Sequence, residues 1–135
     1  MKTAAAIFGL IALSLSVGFF FASSNVSAIE FPSYSASAFE TAQAEGAPIV
    51  VDVHASWCST CRAQRRALEA LVEDPRFAEV VFFEIDYDTQ KEHMRAFGAS
   101  QRSTLIAFRG QNETARLVGD TRSLSIEMLL STIVD

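Results

Sequence analysis

Two runs of β-branched and aromatic residues, Ile49-Val50-Val51-Asp52-Val53-His54 and Val80-Val81-Phe82-Phe83-Glu84-Ile85-Asp86, stand far enough apart to hold one long helix between them. Near-continuous apolar runs of this kind suit strands covered on both faces, since strict alternation would leave one face wet. The segment between them, Cys58 to about Glu73, has helical spacing. Ala63, Ala67, Leu68, Leu71 and Val72 can face a sheet, with Arg62, Arg65, Arg66 and Glu69 on the solvent side. Asp74-Pro75 ends the segment. Strand, helix and strand of these lengths require a crossover between two parallel strands. One charge, Asp52, interrupts the first run.

The remaining segments fit around that unit. Ile29 to Pro32 reads as an extended lead-in, and Tyr34 to Glu45 as a short helix capped by Ser35 with Phe39 and Ala42 inward. Gly46-Ala47-Pro48 breaks it. Asp88 or Thr89 can cap a helix reaching Phe97, with Met94 and Phe97 inward and Gly98 as its exit. Thr104–Phe108 and Thr114–Val118 read as an antiparallel hairpin around the turn 109–113. A last helix, Ser123 to Val134, sets Ile126, Leu129, Leu130 and Ile133 on one stripe. The expected class is α/β, a central mixed sheet with helices on both faces.

Residues 1–28 read as a signal peptide: a positive start at Lys2, an apolar run from Ala4 to Ala22, and Val26-Ser27-Ala28 before a cleavage site after Ala28. An uncleaved anchor is the alternative reading of the same run. Residues 29–135 then form one exported domain, expected in the periplasm. The net charge of -5, with no aromatic-laced Lys/Arg cluster, argues against nucleic acid as a partner. The only two cysteines, Cys58 and Cys61, lie two residues apart at the strand-to-helix junction. Such a pair cannot staple distant parts of a fold. It can close on itself, exchange disulfides with another protein, or hold a metal.

Trp57-Cys58-Ser59-Thr60-Cys61 between the first central strand and its helix, in this order of elements, resembles the thioredoxin family. Asp52, six residues before Cys58, falls where that family keeps a buried acid, and Phe108 and Val118-Gly119 fall at matching spacing. The resemblance covers nearly all of residues 29–135 and implies a thioredoxin-like fold and a thiol-disulfide oxidoreductase. There are departures. Ser103, in Arg102-Ser103-Thr104-Leu105, takes the place of the family's usual cis-proline, and Ser59-Thr60 replaces the commoner pairs between the cysteines. A non-proline cis bond costs about 2.5–4 kcal/mol, so a trans Arg102-Ser103 bond or a shifted loop is expected. Arg66 replaces a kinking proline, and the lysine often opposite the buried acid falls at Phe82, which leaves Asp52 without that cation.

Cys58, at a helix start, should lie near free backbone N–H groups that favour its thiolate, which makes it the attacking sulfur and Cys61 the resolving one. Ser59 and Thr60 can offer hydroxyls to it, while Arg62 reads as part of an exposed first turn. A carboxylate inside an apolar strand needs a hydrogen bond or a proton, so Asp52 is a candidate to take the proton of Cys61. Trp57 is expected on the surface beside the sulfurs, in a docking patch for partners. By the resemblance, Arg102, Ser103 and Thr104 form the opposite wall, whose backbone would pair with an extended client.

His54 with the two cysteines offers ligand types used for zinc or copper, but a bend separates them and no fourth ligand is evident; His93 reads as exposed. No cofactor is expected. The implied partners are protein thiols and disulfides and, for a reductant outside the cytoplasm, a membrane-embedded thiol donor. Absence of the large helical insertion usual in the family's oxidases, together with Asp52, favours reduction. A monomer is the default. The competing reading is a non-catalytic module in which the pair is a static disulfide or a metal or iron-sulfur clamp.

Overall fold

The computed structural model describes residues 29–135, so the signal peptide expected over 1–28 lies outside the described residues. Helix α1 (Ala36–Ala44) leads into strand β1 (Pro48–His54), helix α2 (Ser59–Leu71) and strand β2 (Val81–Asp86). Helix α3 (Lys91–Ala96), strands β3 (Thr104–Arg109) and β4 (Asn112–Val118), and helix α4 (Ser123–Ser131) complete the chain. The sheet order is β2-β1-β3-β4, with β1 parallel to β2 and the other two pairings antiparallel. The mixed sheet with helices on both faces is the expected architecture.

Strand β1 is central, and every residue from Ile49 to His54 is buried. Because side chains alternate along a strand, Ile49, Val51 and Val53 join Phe39 and Ala42 of α1 and Met94 of α3 in one core. Val50 enters the other core, with Leu68 of α2 and Ile126, Leu129 and Leu130 of α4. Asp52 and His54 share the parity of Val50, so they point toward the α2 side. That parity decides which helix can reach the buried acid.

Local signals act largely as expected at the element ends. Ser35 caps α1 by accepting from the Ala38 N–H at 3.4 Å. The lead-in is extended and joins β2 through the Tyr34 N–H to Glu84 carbonyl bond at 2.7 Å. Three boundaries differ. Helix α4 ends at Ser131, short of the expected Val134. Gln90, rather than Asp88 or Thr89, precedes α3, without a side-chain capping bond; the Asp88 and Thr89 N–H groups instead bind Asp86 Oδ1 at 2.9 and 2.7 Å. An acceptor at the end of β2 has tightened the turn and taken the two expected caps. The hairpin turn is also shorter, because β3 and β4 pair out to Arg109 and Asn112, with a register shift at Ala107/Phe108.

Candidate active site

Cys58 stands just before the first residue of α2, in extended conformation, as the helix N-cap. Its sulfur accepts the Cys61 backbone N–H at 3.1 Å. A helix start leaves such donors without intrahelical partners, and their positive end favours an anion. Cys58 is 4% exposed and Cys61 0%, so only the outer residue keeps a margin of solvent contact. Both are free thiols.

Ser103 lies between them. Its Oγ is 3.2 Å from Cys58 Sγ and 3.1 Å from Cys61 Sγ. The expected hydroxyls of Ser59 and Thr60 do not serve this purpose: Ser59 is exposed, Thr60 only partly covered, and neither hydrogen-bonds a sulfur. The helical first turn directs them away, and a loop distant in sequence supplies the hydroxyl.

The two thiols are pushed apart. For Cys58, burial raises the pKa, but the hydrogen bonds from Cys61, Ser103 and the Cys61 backbone prevail and lower it from 9.0 to about 7. Arg102 adds the smallest pull; its guanidinium carbon sits 4.7 Å from the Trp57 ring centroid, without a close hydrogen bond to the sulfur. Arg62 does not contribute, since its Nη1 donates to the Ser56 carbonyl at 2.9 Å. Burial, then the hydrogen bond with Cys58, raise the pKa of Cys61. One sulfur is thus prepared as a nucleophile and the other is kept protonated.

Asp52 is fully buried beneath this corner and is not without a cation. Arg65 of α2 reaches it, Nη2 to Oδ2 at 2.7 Å, and also binds Glu84 Oε2 at 2.6 Å. The sequence expectation that Arg65 points to solvent is therefore corrected. Cys61, Gln64 and Leu68 form the buried stripe of α2, and Arg65, four residues from Cys61, lies beside it. An acid in the core opposite an arginine at that spacing was the available signal. Asp52 Oδ1 has no hydrogen-bond partner among the described residues. His54 Nδ1 is 3.5 Å from Asp52 Oδ2, near enough for attraction but without hydrogen-bond geometry. Among the described residues no group of three or more His, Cys, Asp or Glu could hold a metal ion.

Gln64, fully buried, is the second residue that sequence reasoning passed over. Its Nε2 donates to the carbonyls of Ser103 at 3.1 Å and Asp120 at 3.0 Å, tying α2 to both loops. Ser103 also donates its N–H to Val53 at 2.8 Å and accepts from the Gly119 N–H at 2.8 Å. These bonds hold it at φ 57, a left-handed conformation unusual for serine. No cis bond occurs among the described residues, so Arg102-Ser103 is trans.

The expected opposite wall is narrower than the sequence suggested. Thr104 is buried, and its hydroxyl donates to the Gln101 carbonyl at 2.8 Å. Ser103 is also buried, with both backbone groups engaged. Sheet pairing absorbs these two residues, and exposed Arg102 remains for an incoming chain. Trp57 is 56% exposed, and its Nε1 donates to Asp88 Oδ2 at 2.8 Å, which fixes the ring beside the sulfurs. His93 is half-buried against Tyr34, ring centroids 4.9 Å apart, rather than free in solvent.

The thioredoxin family model matches residues 31–132. Thioredoxin H2-2 of Oryza sativa subsp. japonica is 33% identical over 87 residues, 62% of this chain and 63% of that protein. The chain thus spans just under two thirds of that relative's length. Thioredoxin-2 of Saccharomyces cerevisiae is 31% identical over 86 residues, 63% of this chain and 81% of that one. The crystal structure of Trxlp from Edwardsiella tarda EIB202 is 40% identical, with TM-score 0.71, covering 75% of this chain and 98% of that chain. A close cysteine pair at a helix start in such a fold supports thiol-disulfide exchange.

Proposed function

The chain belongs to the thioredoxin family, and we propose that it is a thiol-disulfide oxidoreductase that reduces the disulfides of partner proteins outside the cytoplasm. One observation carries the activity: Cys58 Sγ caps the start of α2 and accepts the Cys61 N–H at 3.1 Å, with its pKa lowered to about 7 beside a Cys61 thiol whose pKa is raised. The Cys58 thiolate attacks a client disulfide, and Cys61 then displaces the client from the mixed disulfide. Cys61 must shed its proton to do so. Asp52 Oδ1, a buried acceptor with no partner, is one destination for that proton, and the Ser103 hydroxyl is the other.

The reducing direction is supported by the degree of ionisation. Attacking thiols of Cys-x-x-Cys proteins run from about 7 in reductants to about 3.5 in a strong oxidant, and Cys58 stands at the former end. Export rests on the signal-like residues 1–28. A reductant in that compartment requires electrons from across the membrane, so a membrane-embedded thiol donor is part of the proposal. Ser103 stands, in this reading, where relatives carry a proline. Clients would dock on Trp57 and along the Arg102 backbone.

The test is turnover of insulin disulfides by the protein with a chemical reductant, followed by Cys61→Ala trapping of mixed disulfides through Cys58. Catalysis together with trapped adducts is the expected result. Absence of both would leave the pair as a static clamp.

A further inference from the structure

We propose that Ser103 is a catalytic residue of the resolving step, its hydroxyl relaying the proton of Cys61 to the departing client sulfur. The proposal rests on the exchange reading above. Its ground is that one Oγ lies within 3.2 Å of Cys58 Sγ and 3.1 Å of Cys61 Sγ. A serine hydroxyl has one proton to donate and two lone pairs to accept with. It can therefore accept from the Cys61 S–H while donating to the Cys58 thiolate, and among the described residues no other side chain hydrogen-bonds both sulfurs. Asp52 hydrogen-bonds neither, since its Oδ2 carries Arg65 and its Oδ1 has no partner.

Once Cys58 is joined to a client, its sulfur is neutral and no longer draws the Ser103 proton. The strongest acceptor nearby becomes the client sulfur, one bond further on, as it begins to leave. Cys61 sulfur supplies the electron pair that forms the new bond to Cys58. The bond from Cys58 to the client breaks with its pair on the client sulfur. The Cys61 proton passes to Ser103 Oγ as the Ser103 proton passes to the client. Cys61 ends oxidised, the client sulfur reduced to a thiol, and the serine unchanged.

The site is arranged for such a transfer. Ser103 is 4% exposed and Cys61 0%, so bulk water has little access to the proton. Three main-chain bonds, from Gly119 N–H, to Val53 carbonyl and from Gln64 Nε2, hold the serine in its left-handed conformation. Such conformations cost on the order of 1–3 kcal/mol and persist where the surroundings enforce them. A proline there would offer no hydroxyl.

The test follows decay of the mixed disulfide at Cys58 by acid quench and mass spectrometry, in wild type, Ser103→Ala and Ser103→Gly. Glycine removes the hydroxyl and tolerates φ 57, so it guards against a merely strained alanine. Glutathione disulfide gives an alkyl leaving thiol that needs a proton, and an aryl disulfide such as dithionitrobenzoate gives one that does not. Loss of the relay should slow decay of the alkyl adduct on the order of 10²-fold in both variants, with the aryl adduct decaying near the wild-type rate. Equal slowing of both adducts, or none, would overturn the relay and leave the exchange reading standing, because the adduct at Cys58 still forms. If Cys61→Ala forms no adduct with either disulfide, the exchange reading falls and the relay with it.

Discussion

Arg65 Nη2 lies 2.7 Å from Asp52 Oδ2, so the carboxylate in the middle of the central strand is met by a cation from α2. The same guanidinium binds Glu84 and stacks on Phe31, its carbon 3.9 Å from that ring's centroid. Burial by itself would lower the pKa of Arg65, but the two carboxylates outweigh it and raise it. A buried pair of this kind adds little over apolar packing, whereas breaking one leaves an uncompensated charge.

Arg65→Ala should therefore destabilise the reduced protein by about 3–5 kcal/mol. Urea denaturation measures it. Adding Asp52→Asn to the same chain should restore much of the loss, since the orphaned charge is removed. A single variant as stable as wild type would mean that Asp52 does not depend on Arg65.

Asp52→Asn by itself separates the two proton destinations. If the carboxylate is the acceptor, the variant slows resolution of alkyl and aryl adducts by the same factor. With Ser103 carrying the proton, both adducts decay near their wild-type rates. We expect the wild-type rates, and quenched-flow decay measurements decide the matter.

Alkylation of the reduced protein by iodoacetamide should label Cys58 first and rise with pH to a half-maximum near 7. A midpoint at the ordinary thiol value would mean no assistance from the helix start or Ser103. The same ionisation affects stability. Cys58 has a folded pKa of about 7 against 9.0 unfolded. Its contribution is thus absent below 7, grows between 7 and 9, and is complete above 9. Cys61, raised, acts in the opposite sense: its contribution is whole below 9 and lost as pH climbs through its folded value.

Arg102→Ala should raise the Cys58 midpoint, by less than about one pH unit because the guanidinium is exposed and screened. It also removes the contact over Trp57. The alkylation profile provides the check, and an unchanged midpoint would leave Arg102 with a docking role only.

Gln64→Leu keeps the volume and removes two bonds, to the Ser103 and Asp120 carbonyls. At about 0.5–1.5 kcal/mol per bond, a loss of about 1–3 kcal/mol is expected. Because Gln64 holds the serine loop, amide exchange at Ser103 and Gly119 should quicken more than exchange in α1. Uniform exchange would show that the glutamine only fills space.

Much of the fold was legible because it depends on local periodicity. The apolar runs at 49–54 and 80–86 identified β1 and β2, although β2 lies at the edge of the sheet rather than at its centre; the stripe Ile126, Leu129, Leu130, Ile133 identified α4, and Pro75 marked the exit from α2. The cysteine pair at a strand-to-helix corner pointed to redox chemistry because a helix start provides the same donors in any protein. The expected helix phase, through Ala63, Ala67 and Leu68, is right at Leu68 but leaves out Cys61 and Gln64, which also face inward and bring Arg65 beside the core. That error turned a core cation into a surface one.

The order of elements, the mixed sheet and the identity of the two sulfurs were thus determined by the sequence alone, through patterns a few residues long. What surrounds the sulfurs was decided only in three dimensions. Ser103 reaches Cys58 and Cys61, Gln64 reaches the Ser103 carbonyl, and Arg65 reaches Asp52, through contacts that depend on the packing of α2 against the sheet and on the left-handed turn before β3. A hydrogen bond is made or lost within about half an ångström, and no spacing along the chain specifies position to that precision.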